Sequence, residues 1–216
     1  MKPILSDTER KHLDRRVAEV ERRTGTQIVL AAIQRSDTYA ELPWKAFALG
    51  VSVAGLGAVA LQMLQPGWHS RFAVLFAVVF SLAAGAACAL LCIAAHSFAR
   101  LFLDAHRAEV EVNQYAQSLF LSRELFATSR RMGILLLVSM FERQVVLLPD
   151  SGAAGLLSGE SMLSIVDGMK GDLAAGRVGP ALEKGLRGLE ETLPVSAAGK
   201  LPEDELPNSV IQEEDQ

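Results

Sequence analysis

The distribution of apolar and charged residues separates one long charge-poor stretch from the segments on either side of it. Between Ala46 and Ala99 there is no Asp, Glu or Lys, and the one fully charged residue is Arg71. Within this stretch the apolar run Ala46–Leu64 would reach about 28 Å as a helix, close to the thickness of a bilayer's hydrocarbon core. A second run, Phe72–Ala95, is long enough to cross with some tilt. We therefore predict a two-helix transmembrane hairpin over residues 46–95. A buried hairpin in a soluble protein is the weaker alternative.

Basic residues near the ends of the two runs predict the orientation of the hairpin. Arg35 and Lys45 precede the first run, Arg100 and Arg107 follow the second, and the turn carries Arg71 alone. Positive charge concentrates on the cytoplasmic side of membrane proteins, so we expect both termini in the cytoplasm.

Small residues recur at a spacing of four along both runs: Ala54, Ala58, Ser81, Gly85 and Ala89. Such ridges allow close approach of helix backbones. We expect them to pack the two spans against each other, with a homo-oligomer face as the alternative. No acidic residue lies within the runs to mark an ion path, which disfavours a transporter.

The flanking segments alternate between helical and strand patterns. Ser6 and Glu9 form a capping box that opens a helix, and Gly25 is placed to end it. The segment Ile28–Ile33 is apolar without alternation, as in a strand covered on both faces. Further helices are predicted at Glu109–Thr128, Glu160–Ala175 and Val178–Leu193, and further strands at Ile134–Met140 and Gln144–Leu148.

One strand before the hairpin and two after it predict a single interrupted domain, because a lone strand cannot satisfy its backbone. The expected fold is α/β, a small sheet of about three strands flanked by helices. Residues 1–45 and 96–193 would form its two parts, and the hairpin would comprise 46–64 and 72–95. Residues 194–216 read as an acidic, disordered tail.

Composition and motifs argue against several classes of function. The formal charge of −4 and the pI of 5.6 argue against nucleic acid as a partner. Glycine-rich phosphate-binding motifs are missing, and the four histidines have no repeated ligand spacing.

Several blocks in order resemble the TPM domain family, which includes plant thylakoid proteins and many bacterial membrane proteins. The resemblance is carried by Leu5–Arg10, Glu21–Val29, Arg131–Ser139, Glu142–Val145 and Glu205–Asn208. The chain is most similar to a bacterial subgroup of integral membrane proteins in which two spans interrupt the domain. The resemblance implies a TPM-like α/β sandwich in the bacterial inner (plasma) membrane.

The resemblance also implies an acid phosphatase activity, with acidic residues near strand ends binding a metal. Many relatives carry Asp-Asn before the glycine of the middle strand, whereas this chain has Arg131-Met132 before Gly133. Asp150 and Asp37 are the candidate ligands for a divalent cation such as Ca²⁺ or Mg²⁺. The structural alternative is that Asp150 begins a turn and Asp37 caps the following helix.

Two functions follow as hypotheses. The first is an accessory module of the inner membrane that faces the cytoplasm and binds a protein, for which the resemblance implies a LemA-type membrane protein as partner. The second is a weak divalent-metal-dependent acid phosphatase. We assign no catalytic residue.

Overall fold

A computed structural model describes residues 3–64, 71–128, 130–195 and 210–213. Eight helices and four strands follow one another along these residues. The helices are α1 (Asp7–Thr24), α2 (Glu41–Leu64), α3 (Arg71–Ala94), α4 (His96–Ala99), α5 (Ala105–Ser122), α6 (Ser151–Ala154), α7 (Gly159–Ala174) and α8 (Val178–Thr192). The strands are β1 (Gln27–Ile33), β2 (Gly133–Ser139), β3 (Gln144–Pro149) and β4 (Ile211–Glu213). The chain forms two compact units, residues 38–107 and the remainder.

The four strands form one mixed sheet in the order β3-β2-β1-β4. β1 pairs with β2 in parallel, β2 pairs with β3 antiparallel, and β4 lies parallel to β1. The strand before the hairpin therefore joins the two strands after it, as their patterns predict. Every residue of β1 and β2 is buried, which explains why neither strand alternates between apolar and polar residues.

Helices cover both faces of the sheet. α1, α7 and α8 pack on one face, where Leu13, Val17, Leu182 and Leu186 share a core with Leu136 of β2. On the other face, α5 contributes Val112, Ala116 and Leu119 to a second core. The predicted α/β sandwich is thus confirmed. Its basis is burial of the apolar side of each helix against a strand surface.

The fourth strand corrects the prediction of a disordered tail for residues 210–213. Val210 and Ile211 are buried, each in a different one of the two cores. The Val210 backbone N–H also donates to Asp14 Oδ1 of α1 at 2.9 Å. Two consecutive apolar residues beside an open strand edge outweigh the acidic composition around them. The rest of the predicted tail, except residues 194 and 195, lies outside the described residues.

Local signals placed the boundaries of several elements well. The capping box of Ser6 and Glu9 is present, and Gly25 ends α1 in the left-handed conformation with φ 71°. The predicted helix at Glu109 instead begins at Ala105, where Asp104 Oδ1 accepts a hydrogen bond from the Arg107 N–H at 2.9 Å. That helix ends at Ser122, and a short 3₁₀ turn follows at Leu125–Ala127.

The unit of residues 38–107 contains the hairpin of α2 and α3, each 24 residues long, followed by α4. A Cβ at Gly50 would lie 2.9 Å from the Gly85 Cα, so the two backbones meet at these glycines. Ser81 and Gly85 of the predicted ridge are buried between the helices. α2 begins at Glu41, five residues before the apolar run. The predicted turn comprises Gln65–Arg71. Residues 65–70 lie outside the described part of the chain, and Arg71 is the first residue of α3 instead.

Candidate functional site

The structure places the two predicted metal ligands at opposite ends of the sheet. Asp37 follows the carboxyl end of β1, where Ile33 is in register with Ser139 of β2. Asp150 follows β3, which is antiparallel to β2, and therefore lies beside Gly133 at the amino end of β2. Six residues of extended strand separate the two ends by about 20 Å. One cation cannot contact both carboxylates, and metal binding by either one separately stays a prediction.

The carboxylate of Asp150 is buried, and groups of the same chain surround it. Its side chain is 4 % exposed, and its Oδ2 forms an ion pair with Arg131 Nε at 2.9 Å. Its Oδ1 accepts a hydrogen bond from the Ser151 N–H at 2.7 Å at the start of α6. Asp150 therefore begins a turn, which was the structural alternative to metal binding. Its negative charge is balanced by Arg131 of the same chain.

The loop that carries Arg131 is held tightly against α6. Arg131 has a positive φ of 56°, and its carbonyl oxygen accepts hydrogen bonds from the N–H groups of Gly152 and Ala153. A Cβ at Gly152 would lie 2.4 Å from the Arg130 carbonyl oxygen, so this close approach requires glycine. Backbone contacts therefore fix Arg131 beside Asp150.

The divalent cation implied by the family resemblance does not fit the residues at Asp150. Oδ1 already accepts the Ser151 N–H, and Oδ2, which accepts no hydrogen bond among the described residues, is paired with the guanidinium of Arg131. A cation at Oδ2 would meet that positive charge. In the described part of the chain, no group of three or more His, Cys, Asp or Glu side chains could hold a metal ion.

At the other end of the sheet lies a buried carboxylate to which the sequence pattern gave no site role. Glu142, in the turn between β2 and β3, is only 7 % exposed. Its Oε1 accepts from the Ser36 N–H at 2.8 Å and from Ser36 Oγ at 2.7 Å, and its Oε2 accepts from Ser139 Oγ. Glu142 thereby ties the segment after β1 to the end of β2. A buried carboxylate that accepts three hydrogen bonds from two segments holds those segments together, and we call such a carboxylate a brace.

A second carboxylate braces the helical layer. Asp172, near the end of α7, forms ion pairs with Lys184 of α8 and with Arg177, both at 2.6 Å. Hydrogen bonds from Lys184 and then Arg177 hold the pKa of Asp172 below its usual range. These contacts fix the short connection between the two helices.

The hairpin of α2 and α3 is the feature that bears most directly on function. By length and composition, α2 and α3 are both long and apolar enough to cross a membrane, and few of their residues are buried in the structure. Leu56 is 71 % exposed, Phe72 80 % and Ile93 67 %. Large apolar side chains on the outside of two helices are typical of a surface that contacts lipid or another protein.

Comparison with known proteins agrees with the fold. Residues 99–192 match the family model described as the TPM domain, which confirms the resemblance read from the sequence. The NMR structure of the BA42 protein from the psychrophilic bacterium Bizionia argentinensis is similar, with a TM-score of 0.54 and 13 % sequence identity. The similarity covers 99 % of this chain and 98 % of that chain, and at this identity it concerns the fold alone. No curated protein matches the chain.

Proposed function

We propose that this chain, which matches the TPM domain model over residues 99–192, is an integral protein of the bacterial inner membrane whose TPM domain binds another protein on the cytoplasmic side. The single observation that carries the proposal is the hairpin of α2 and α3, whose large apolar side chains point away from the helix pair and remain exposed. In lipid these side chains would be solvated by hydrocarbon, each gaining roughly 1.5–3 kcal/mol relative to water.

The interior of the hairpin supports insertion as a helix pair. The helices approach through Gly50, Gly85 and Ser81, the residue types that allow close backbone contact in lipid. Ser52 and Ser81 donate their hydroxyl hydrogens to carbonyl oxygens four residues earlier, so neither hydroxyl needs water. The hydroxyls of these two serines are therefore compatible with a position in a bilayer.

The charges at the open end of the hairpin support the proposed orientation. Arg107 forms an ion pair with Glu41 at 2.8 Å, and Lys45 Nζ lies 3.3 Å from the Phe102 carbonyl oxygen. These residues lie at the start of α2 and after α3, at the end away from the turn. An excess of Lys and Arg there favours the cytoplasm for both termini.

The buried carboxylates of the TPM domain do not favour the alternative function, a metal-dependent phosphatase. Asp150 is neutralised by Arg131, and Glu142 and Asp172 hold neighbouring elements together. Each of these carboxylates has a structural task. The partner proposed from the family resemblance is a LemA-type membrane protein.

Anchoring is tested by extracting membranes with alkaline carbonate. We expect wild-type protein in the pellet and Leu56→Arg partly in the supernatant, because an arginine at the centre of a span costs roughly 2.5–3.5 kcal/mol for insertion. Leu163→Arg in α7 is the matched control, since Leu163 is 67 % exposed and lies outside the hairpin. Release of the wild type by carbonate would refute the anchor.

Orientation and partner need separate measurements. In a background without Cys88 and Cys92, we expect a membrane-impermeant maleimide on intact cells to label Gln65→Cys but not Arg10→Cys. The reverse pattern would contradict the orientation. For the partner, crosslinking in membranes followed by mass spectrometry should recover a LemA-type protein. A TPM domain that crosslinks to no protein would refute the binding role.

A further inference from the structure

The outer edge of the sheet at β3 differs from the rest of the sheet. All six residues of β3 are half-buried, whereas every residue of β1 and β2 is buried. Among the residues that the structure describes, β3 has one neighbour in the sheet, β2. Its side chains reach both cores, Val145 and Leu147 on one face and Val146 and Leu148 on the other. β3 is thus well packed on its faces but open along its edge.

The register identifies the backbone groups that lie on this open edge. The Asp150 N–H donates to the Gly133 carbonyl oxygen, so Asp150 points towards β2, and alternate residues Leu148, Val146 and Gln144 do the same. The N–H and C=O groups of Val145 and Leu147 therefore point outward. Within the described residues no hydrogen bond joins these outward groups to another segment. Two donors and two acceptors are available in the middle of the edge.

The edge also lacks the features that usually prevent strand pairing. Gln144–Pro149 contains no charged residue, whereas exposed edges are commonly protected by lysine, a central proline or a bulge. The one proline, Pro149, is the last residue of the strand and points outward, where its missing N–H leaves the central groups intact. The edge of β3 is therefore competent to accept another strand.

We propose that β3 pairs with β3 of a second copy of this chain, antiparallel about a two-fold axis at Val146. In this register Val145 pairs with Leu147 of the second copy, and the symmetric pair repeats the contact. Each pair closes two hydrogen bonds, so all four outward N–H and C=O groups find partners. The two four-stranded sheets join into one of eight strands. An uncharged strand meets no like charge when it pairs with itself.

The contact between the two strands is too small to hold two free copies together, so the proposed pairing depends on the membrane. One strand pair of about five residues falls well below the roughly 1,200 Å² typical of stable interfaces, so the pairing is weak between free copies. Two copies held in one bilayer have a far higher effective concentration. The inference therefore rests on the proposed anchoring, and its test must separate the two.

The experiment is disulfide crosslinking in native membranes, in a full-length background with Cys88→Ala and Cys92→Ala. Val146 would lie opposite itself, with Cβ atoms about 4.5–5.5 Å apart, so Val146→Cys should give disulfide-linked dimer. Gln144→Cys is the matched control, because its two copies would lie about 13 Å apart. We expect at least about fivefold more dimer for Val146→Cys.

A second variant tests the backbone hydrogen bonds. Val145→Pro in the Val146→Cys background removes an outward donor that makes no bond to β2, so the sheet keeps its own ladder. Dimer should fall to the level of Gln144→Cys, while circular dichroism stays that of the parent. Equal dimer from Val146→Cys and Gln144→Cys in the carbonate-resistant pellet would overturn the pairing and leave the anchor intact. Loss of the protein from that pellet would refute the anchor instead.

Discussion

Replacing Glu142 by alanine is expected to loosen the end of the sheet at which β1 and β2 finish. The buried carboxylate accepts two hydrogen bonds from Ser36 and one from Ser139. Alanine removes all three at once. Ser139 is buried, so its hydroxyl would keep neither a protein partner nor water, whereas Ser36 is half-buried and can be rehydrated.

The magnitude follows from these contacts. A hydrogen bond to a charged group contributes about 1.5–3 kcal/mol, and a buried donor left unsatisfied costs about 1–3 kcal/mol. Allowing for rehydration of Ser36, we expect Glu142→Ala to cost about 2–4 kcal/mol. Glu142→Gln should cost about 1 kcal/mol, because the amide oxygen still accepts a hydrogen bond and the Ser139 hydroxyl can rotate. In the double variant Ser139→Ala, Glu142→Ala, the cost should be less than the sum of the single changes.

Hydrogen–deuterium exchange of the peptide that contains β2 measures this cost locally, in the solubilised full chain. A loss of 2–4 kcal/mol corresponds to a fall in amide protection of about 30- to 1,000-fold, at roughly 1.4 kcal/mol per tenfold. Glu160→Ala, an exposed position in the first turn of α7, serves as the control. If Glu142→Ala lowers protection by less than about threefold, or no more than Glu142→Gln, the carboxylate is not a brace.

Two further predictions concern the hairpin and the helical layer. Gly50→Leu should separate α2 from α3 and lower the melting temperature in detergent. Gly57→Leu should not, because a Cβ at Gly57 meets nothing within 4 Å; equal effects would refute the glycine contact. The pKa of Asp172 is lowered in the folded state by Lys184 and Arg177, so this stabilisation is present above the unfolded pKa of about 3.9 and is lost as pH falls through the folded value. Asp172→Asn should therefore destabilise the chain at pH 7 and reduce the fall of its melting temperature as the pH is lowered. The exposed control Asp167→Asn should leave the pH dependence of the melting temperature unchanged.

Local patterns determined much of the architecture before any contact was known. The hairpin followed from the missing charges between Ala46 and Ala99, and α1 followed from the capping box at Ser6 and the glycine at Gly25. The two buried strands followed from apolar runs that do not alternate. In each case the deciding interaction is between residues a few positions apart or between one segment and its solvent, and both are visible in the order of residues.

The tertiary structure decided which residues meet. Asp37 and Asp150 both follow strands, but the antiparallel direction of β3 sends them to opposite ends of the sheet. The brace at Glu142 joins residues 106 positions apart, and β4 joins the cores from a stretch whose composition predicts disorder. Strand direction, register and burial arise from packing between distant segments, and no local pattern of charge or apolarity encodes them.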